Sequence, residues 1–235
     1  RPPRSTPKPS SAASDVYKIQ DLTNELTKEG FDIRYWNVDV RDSNQVSGGV
    51  LAATQWLEGI DILINLAGVL QGASLELDEF PDEVWESVIS INLTGSYLMT
   101  KHIASIMQKQ RSGSFIAVSS GGGVVGFNGQ LPYIASKHAV NGMVKTACIE
   151  NGQYNVRVNA LAPGPVDNRM MRSLEEQLNP SDPEALRQNI ISQMIPMQKY
   201  STNEDVANLA LFLGSDESAN CSGAVFLSDG GFTAA

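Results

Sequence analysis

Residues 114–142 have the sequence SFIAVSSGGGVVGFNGQLPYIASKHAVNG, which predicts a strand, a glycine-rich loop and a helix, in that order. The apolar run 114–120 ends in hydroxyl side chains and is followed by glycines, as expected of a buried strand that stops at a loop. From Pro132 onward, apolar residues recur with helical spacing. Tyr133 and Lys137 therefore lie one turn apart on the same side of that helix.

Strands and helices alternate along the rest of the chain. This order predicts a parallel sheet with helices on both faces, a doubly wound, three-layer α/β fold. The predicted strands are 31–40, 60–68, 114–120, 155–164 and 223–231, and the predicted helices are 15–29, 43–57, 82–110, 132–151 and 203–213.

Ligands bind beyond the carboxyl ends of the strands in such folds. The predicted strands end near Asp39, Asn65, Ser120 and Pro163, so the pattern alone places these four residues along one edge of the sheet.

Composition limits the classes of function. The chain has 235 residues, of which 42% are apolar, and we expect one domain at 15–235 after a disordered tail at 1–14. The net charge of −9 argues against nucleic acid or an anionic membrane as a partner. The two cysteines show no metal-ligand spacing, so no metal is predicted. A cytoplasmic location is expected, with an organelle matrix as the other option.

The serine, the tyrosine and the lysine have a joint chemical use. A phenol with a pKa of about 10 transfers protons poorly at neutral pH, and a neighbouring ammonium is expected to lower that pKa. Ser120 can hydrogen-bond a substrate carbonyl or alcohol oxygen while Tyr133 moves the proton. The sequence therefore predicts acid–base chemistry at an oxygen atom, with Lys137 tuning Tyr133.

The spacing S-x12-Y-x3-K of Ser120, Tyr133 and Lys137 resembles the short-chain dehydrogenases/reductases, and the resemblance extends from about residue 20 to the C-terminus. It implies a Rossmann-like fold and an NAD- or NADP-dependent oxidoreductase that interconverts a secondary alcohol and a ketone. In that family the lysine also holds the nicotinamide ribose. Asn92, in S-I-N-L-T-G, matches the helix asparagine that holds a water in the family's proton relay.

Three further motifs resemble the family's cofactor contacts. Residues 38–40 (V-D-V) resemble the adenine-binding pair, and residues 65–68 (N-L-A-G) resemble the N-N-A-G turn with leucine in place of its second asparagine. Residues 163–166 (P-G-P-V) resemble the segment facing the nicotinamide carboxamide, and Asn168 stands where the family usually has threonine. The cofactor-binding residues implied by the resemblance are Asp39, Val40, Asn65, Ala67, Gly68, Tyr133, Lys137, Pro163, Gly164, Val166 and Asn168.

The chain departs from the family pattern at its start. The family opens with a strand, a T-G-x-x-x-G-x-G loop, a helix and a second strand, and residues 1–30 contain nothing of this form. We therefore expect the first βαβ unit to be incomplete. The residue that would select NAD or NADP is not identified in the sequence.

Residues 167–200 resemble the substrate lid of the family and are expected to be irregular with two short helices. A hydrophobic or cyclic alcohol or ketone is expected as the substrate, because methionine side chains form an adaptable apolar surface. The resemblance also implies a homotetramer or homodimer that uses helices 82–110 and 132–151. The methionines of this segment are Met170, Met171, Met194 and Met197.

Two other classes of function remain open from the sequence. One is a catalytically inactive structural or regulatory subunit, which the missing glycine-rich loop and the basic N-terminal stretch would suit. The other is a protein that binds a nucleotide or small apolar ligand without turnover.

Overall fold

The computed structural model describes residues 12–73 and 75–234, with side chains from residue 19 onward. The chain divides into two compact units, Arg1–Asp39 and Val40–Ala235. Of the predicted disordered tail, residues 1–11 lie outside the described residues, and residues 12–14 open the first helix. All four strands of the described sheet belong to the second unit.

The first unit contains helix α1, Ala12–Lys28, which confirms the predicted helix. Gly30 has a φ of 95°, and the Phe31 N–H donates to the Leu26 carbonyl at 3.1 Å, a helix ending that glycine favours. The predicted strand at 31–40 is wrong, because these residues lie in neither a helix nor a strand. A strand is held by a ladder to a neighbour, which its own side-chain pattern does not supply.

The second unit contains a four-stranded parallel sheet in the order β1-β2-β3-β4. Because parallel strands end at the same edge, the ends of β1, β2 and β3 bring Asn65, Ser120 and Pro163 to that edge, as predicted. Asp39 is the exception, since it does not follow a strand. The strands are β1 Ile62–Asn65, β2 Gly113–Val118, β3 Val156–Pro163 and β4 Val225–Ser228.

The helices of this unit confirm the predicted alternation. The predicted helix at 82–110 is helical throughout but contains one π-helical turn, Ser90–Thr94. The segment 167–200 contains two helices, as expected. The helices are α2 Ser43–Leu57, α3 Asp82–Ile89, α4 Gly95–Gln110, α5 Leu131–Asn151, α6 Arg169–Leu178, α7 Pro183–Met194 and α8 Asn203–Gly214.

The core consists of two apolar layers on opposite faces of the sheet. Ile116 of β2 is fully buried with Leu161 of β3 and Leu213 of α8. Its neighbour Phe115 points to the other face, where it meets Ile103 and Met107 of α4. Strand β2 is thus buried on both faces, which explains its continuous apolar run.

In the part of the chain that the structure describes, none of the helices combines the length and the apolar character needed to cross a bilayer.

Candidate active site

Ser120 and Tyr133 meet at the carboxyl edge of the sheet. Ser120 follows β2 by two residues, and Tyr133 lies in the first turn of α5, where Pro132 favours helix initiation. The two side chains lie side by side, since a Cβ built on Gly122 would be 3.5 Å from both Ser120 Oγ and Tyr133 Cε1. The Gly122 N–H donates to Ser120 Oγ at 3.1 Å, which leaves the Ser120 hydroxyl hydrogen free to point at an oxygen atom. The structure therefore brings the predicted proton-transfer pair into contact.

Lys137 lies one turn further along α5 and is buried, with 5% of its surface exposed. Its Nζ donates to the Val118 carbonyl at 2.8 Å, and it lies 5.7 Å from the centre of the Tyr133 ring. Burial lowers the pKa of Lys137 to about 8. The ammonium form, which Lys137 keeps at neutral pH, is therefore held in a poorly solvated place beside Tyr133.

The pKa of Tyr133 differs from the sequence-based expectation. Burial raises it above its ordinary value, and the hydrogen bond with Ser120 offsets part of that rise. Lys137 was expected to lower the pKa of Tyr133. Its Nζ instead donates a hydrogen bond to the Val118 carbonyl at the end of β2. Tyr133 is therefore protonated at neutral pH.

Asn92 lies in the π-helical turn between α3 and α4 and is completely buried. Its Oδ1 accepts from the Val69 N–H at 2.8 Å, and its Nδ2 donates to the Val69 carbonyl at 2.9 Å. The same Nδ2 donates to Ser136 Oγ at 3.1 Å. Single π turns occur frequently at functional sites. Here the turn holds the Asn92 side chain between the loop after β1 and helix α5.

The loop after β1 contains the N-L-A-G motif. Gly68 lies between Lys137 and Asn92. A Cβ built on Gly68 would be 3.4 Å from Lys137 Nζ and 3.5 Å from Asn92 Oδ1. Ala67 precedes it and is partly buried. Asn65 instead faces the interior, where its Nδ2 donates to Ser96 Oγ at 2.9 Å. The motif thus combines one structural amide with a small residue beside the lysine.

The glycines after Ser120 permit close packing against α5. A Cβ on Gly123 would be 2.6 Å from Ser119 Oγ and 2.7 Å from Asn141 Nδ2, distances that no side chain tolerates without movement. Asn141 Nδ2 in turn donates to the Gly123 carbonyl at 2.8 Å. The glycine loop is therefore fixed directly against the helix that presents Tyr133.

The P-G-P-V segment follows β3. Gly164 donates its N–H to the Ser228 carbonyl at 3.0 Å, and a Cβ on it would be 2.7 Å from Asp229 Cβ, so only glycine fits. Val166 pairs with Ser201 in an isolated parallel bridge. Asn168 caps α6, because its Oδ1 accepts from the Met171 N–H at 3.1 Å. Pro163, the last residue of β3, and this segment lie at the same edge as Ser120.

The remaining cofactor candidates lie where the two compact units join in the sequence. Asp39 ends the first unit and Val40 opens the second. Within the second unit Val40 packs closely on α4, since a Cβ on Gly95 would be 2.7 Å from Val40 Cγ2.

A charged cluster links the helices of the segment 167–200 to each other. It consists of Asp167, Arg172, Glu175, Arg187 and Tyr200. Asp167 pairs with Arg187 at 2.9 Å and with Arg172 at 3.0 Å, and these hydrogen bonds lower the pKa of its carboxyl group. Arg187 lies over the Tyr200 ring at 5.0 Å, and the Tyr200 hydroxyl donates to the buried Glu175 carboxylate at 2.8 Å. Burial, together with Glu175, raises the pKa of Tyr200. The cluster connects α6, α7 and the chain that follows them.

Only some of the methionines in the segment 167–200 are the exposed apolar side chains that the sequence predicted. Met171 packs on a core of Ile190, Ile195 and Tyr200, whereas Met170, Met194 and Met197 are exposed. Phe232 packs on the same core and also stacks on Phe127, with ring centres 5.2 Å apart.

Phe232 lies beside the glycine loop, since a Cβ on Gly121 would be 3.8 Å from its Cδ1. An aromatic pair therefore borders the loop that carries Ser120.

The comparison with known proteins agrees with this geometry. A family model described as enoyl-(acyl carrier protein) reductase matches residues 12–233. The chain belongs to the short-chain dehydrogenase/reductase family. The 3-oxoacyl-[acyl-carrier-protein] reductase FabG of Thermotoga maritima is 39% identical over 93% of this chain and 85% of its own. The trans-4-hydroxycyclohexanecarboxylate dehydrogenase of Sinomonas cyclohexanicum is 35% identical over 84% of this chain and 70% of its own.

A solved structure supports both the fold and the cofactor class. The gluconate 5-dehydrogenase of Burkholderia cenocepacia, in complex with NADP and tartrate, superposes with a TM-score of 0.83 at 26% identity, over 92% of this chain and 81% of its own. This short-chain dehydrogenase/reductase is accordingly a Rossmann-like α/β protein and an NAD(P)-dependent oxidoreductase. The resemblance found in the sequence is confirmed.

The site of this short-chain dehydrogenase/reductase fits such a cofactor at Lys137. A lysine ammonium has three donors. Among the described residues the structure gives Lys137 Nζ one acceptor, the Val118 carbonyl. Ribose hydroxyls are acceptors of the kind that the remaining donors require. Gly68 leaves room beside that ammonium because it has no side chain.

Two serines of the site were not singled out by sequence reasoning. Ser96 donates to the Asn92 carbonyl at 2.7 Å, and Ser136 donates to the Tyr133 carbonyl at 2.7 Å. The available signal was their spacing, because Ser96 follows Asn92 by one helical turn and Ser136 directly precedes Lys137.

Proposed function

We propose that this protein interconverts a secondary alcohol and a ketone, and that Tyr133, Lys137, Ser120 and Asn92 carry the reaction. The observation that carries the proposal is the contact between Tyr133 and Ser120 with the buried Lys137 ammonium beside them. NAD(P)H supplies the hydride for the carbonyl carbon, and NAD(P)⁺ accepts it in the reverse direction.

The residues of the chain handle the oxygen atom and its proton. Ser120 donates a hydrogen bond to the ketone oxygen and stabilises the negative charge that develops there. Tyr133, which is protonated at neutral pH, gives its proton to that oxygen and recovers it from solvent. Lys137 supports the phenolate that forms for a moment and holds the ribose. Asn92 fixes the loop beside Lys137 and so keeps the groups of the proton relay in place.

A hydrophobic or cyclic ketone suits the substrate side. Phe127 and Phe232 form an aromatic surface next to the glycine loop, and Met170 offers an exposed apolar side chain on the segment 167–200, which acts as the lid. The relative from Sinomonas cyclohexanicum is named for a substituted cyclohexane alcohol. The FabG relative favours a second candidate, a linear 3-oxoacyl thioester.

The test is steady-state kinetics with a cyclohexanone derivative and a 3-oxoacyl thioester, each with NADH and NADPH. We expect turnover of the ring ketone, and we expect Tyr133→Phe to lower kcat by about 10²–10⁴-fold while the thermal midpoint stays unchanged. Tyr154→Phe is the matched control, because it removes a hydroxyl at the far end of α5.

Full activity of Tyr133→Phe would contradict the catalytic role proposed for Tyr133. A higher kcat/KM for the thioester than for the ring ketone would mean that linear 3-oxoacyl thioesters are the substrate class.

We also infer a homotetramer or homodimer in solution. Helices α4 and α5 expose apolar side chains, with Tyr97 exposed at 51% and Ile149 at 82% of their surface. Exposed apolar side chains of this size are what an interface between copies of the chain would bury. Light scattering of the purified protein checks this, and a monomer at all concentrations would contradict it.

A further inference from the structure

Ser136 lies at a junction that the proposed mechanism leaves unused. It is fully buried, one residue before Lys137 and three after Tyr133. Its hydroxyl accepts from Asn92 Nδ2 at 3.1 Å and donates to the Tyr133 carbonyl at 2.7 Å. Ser136 is thus the direct hydrogen-bonded link between the π-helical turn and the turn of α5 that presents the tyrosine.

The link is part of a longer buried sequence of neutral groups, which we term the neutral chain: Asn65, Ser96, Asn92 and Ser136. Asn65 Nδ2 donates to Ser96 Oγ at 2.9 Å, and Ser96 Oγ donates to the Asn92 carbonyl at 2.7 Å. Each serine gives one hydrogen bond and receives one, so neither hydroxyl can rotate without losing a bond. The neutral chain therefore runs from the end of β1 to the first turn of α5.

The Asn92 amide has no other orientation that keeps these bonds. Its Oδ1 and Nδ2 bind the two backbone groups of Val69, and the remaining Nδ2 hydrogen binds Ser136. Without the Ser136 hydroxyl, a buried amide hydrogen would lack an acceptor, which is costly in a protein interior. The turn that carries Tyr133 and Lys137 would also lose its attachment to the π-helical turn.

We propose that Ser136 is a positioning residue, which sets the placement of Tyr133 and Lys137 through its bond to Asn92. This inference rests on the proposed function, because the geometry that it fixes is that of the proton-transfer pair. A displacement of the order of 1 Å at such a pair can cost about 10²-fold in rate. The effect falls on the chemical step, since Ser136 is buried beneath the site and is not placed to touch the substrate.

The experiment compares Ser136→Ala and Ser136→Cys with the unaltered protein. We expect kcat to fall about tenfold or more for alanine and less for cysteine, whose thiol is a weak acceptor of similar size. KM for both substrates should change little, whereas the thermal midpoint of the alanine variant should fall, because a buried amide hydrogen then lacks its acceptor. Ser105→Ala is the matched control, because Ser105 makes the same kind of bond, to the His102 carbonyl at 3.2 Å, on the exposed side of α4.

A kcat for folded Ser136→Ala within twofold of the unaltered protein would overturn the inference. A rise in KM with unchanged kcat would do the same, because it would point to substrate binding. Tyr133→Phe, measured in parallel, separates the two proposals: an active Tyr133→Phe removes the proposed function itself. An inactive Tyr133→Phe beside a fully active Ser136→Ala removes only the role of Ser136.

Discussion

The neutral chain and the charged cluster fasten different parts of the second unit by different physical means. The neutral chain consists of amides and hydroxyls that are at most 5% exposed. In the charged cluster the side chains of Arg172 and Asp167 are 61% and 40% exposed. Uncharged buried hydrogen bonds depend little on salt or pH, whereas exposed ion pairs depend on both. The neutral chain thus holds its turn of α5 with little dependence on salt, whereas the exposed ion pairs of the segment 167–200 weaken as the salt concentration rises.

Lys137 is the charge that borders the neutral region, and its contribution to stability depends on pH. Its pKa is lowered by burial from 10.5 to about 8, so the folded state gives up this proton at a lower pH than the unfolded state. The free energy of unfolding should therefore rise between pH 8 and pH 9.5, by about 1–2 kcal/mol from this group. Lys137→Met should lack that rise. Urea denaturation of both proteins across this pH range measures it.

The upper limit of the range avoids Tyr133. The raised pKa of Tyr133 works in the opposite direction at higher pH, because the folded state then keeps a proton that the unfolded state releases. If the free energy of unfolding changed with pH in the same way for both proteins between pH 8 and pH 9.5, burial would not lower the pKa of Lys137.

The sequence was sufficient for the parts of the site that local patterns determine. Helical spacing placed Tyr133 and Lys137 on one side of α5, and the strand pattern of β2 placed Ser120 at its end. The motif around Asn92 also singled out this position within a predicted helix, and the structure has a π-helical turn there. These features depend on neighbours within a few residues, so periodicity contains them.

The features that the sequence did not provide depend on distant neighbours. The strand predicted at 31–40 would need a ladder partner, and strand-like alternation does not guarantee one. Lys137 binds the Val118 carbonyl, and Ser96 binds Asn65, 31 residues away. The direction of the Tyr133 pKa shift depends on burial by the assembled fold. None of these follows from spacing along the chain.

Ser96→Ala and Arg172→Ala test the contrast between the two regions directly, with Ser96→Ala giving the larger effect. It removes the acceptor of Asn65 Nδ2 in a buried place and should lower the free energy of unfolding by about 1–3 kcal/mol. The loss should be equal at low and high salt, because neither partner is charged. Urea denaturation at two salt concentrations measures it. A loss that shrinks in salt would contradict the neutral character of this region.

Arg172→Ala gives the smallest expected effect and shows the opposite salt dependence. Its guanidinium bonds Asp167 at 3.0 Å in an exposed position, and Asp167 keeps its second partner, Arg187, at 2.9 Å. The loss should be small at low salt and should vanish at high salt. The same urea series measures it beside Ser96→Ala. A loss for Arg172→Ala that persists in high salt would mean that the charged cluster is held as rigidly as the neutral chain, and the contrast between the two regions would then disappear.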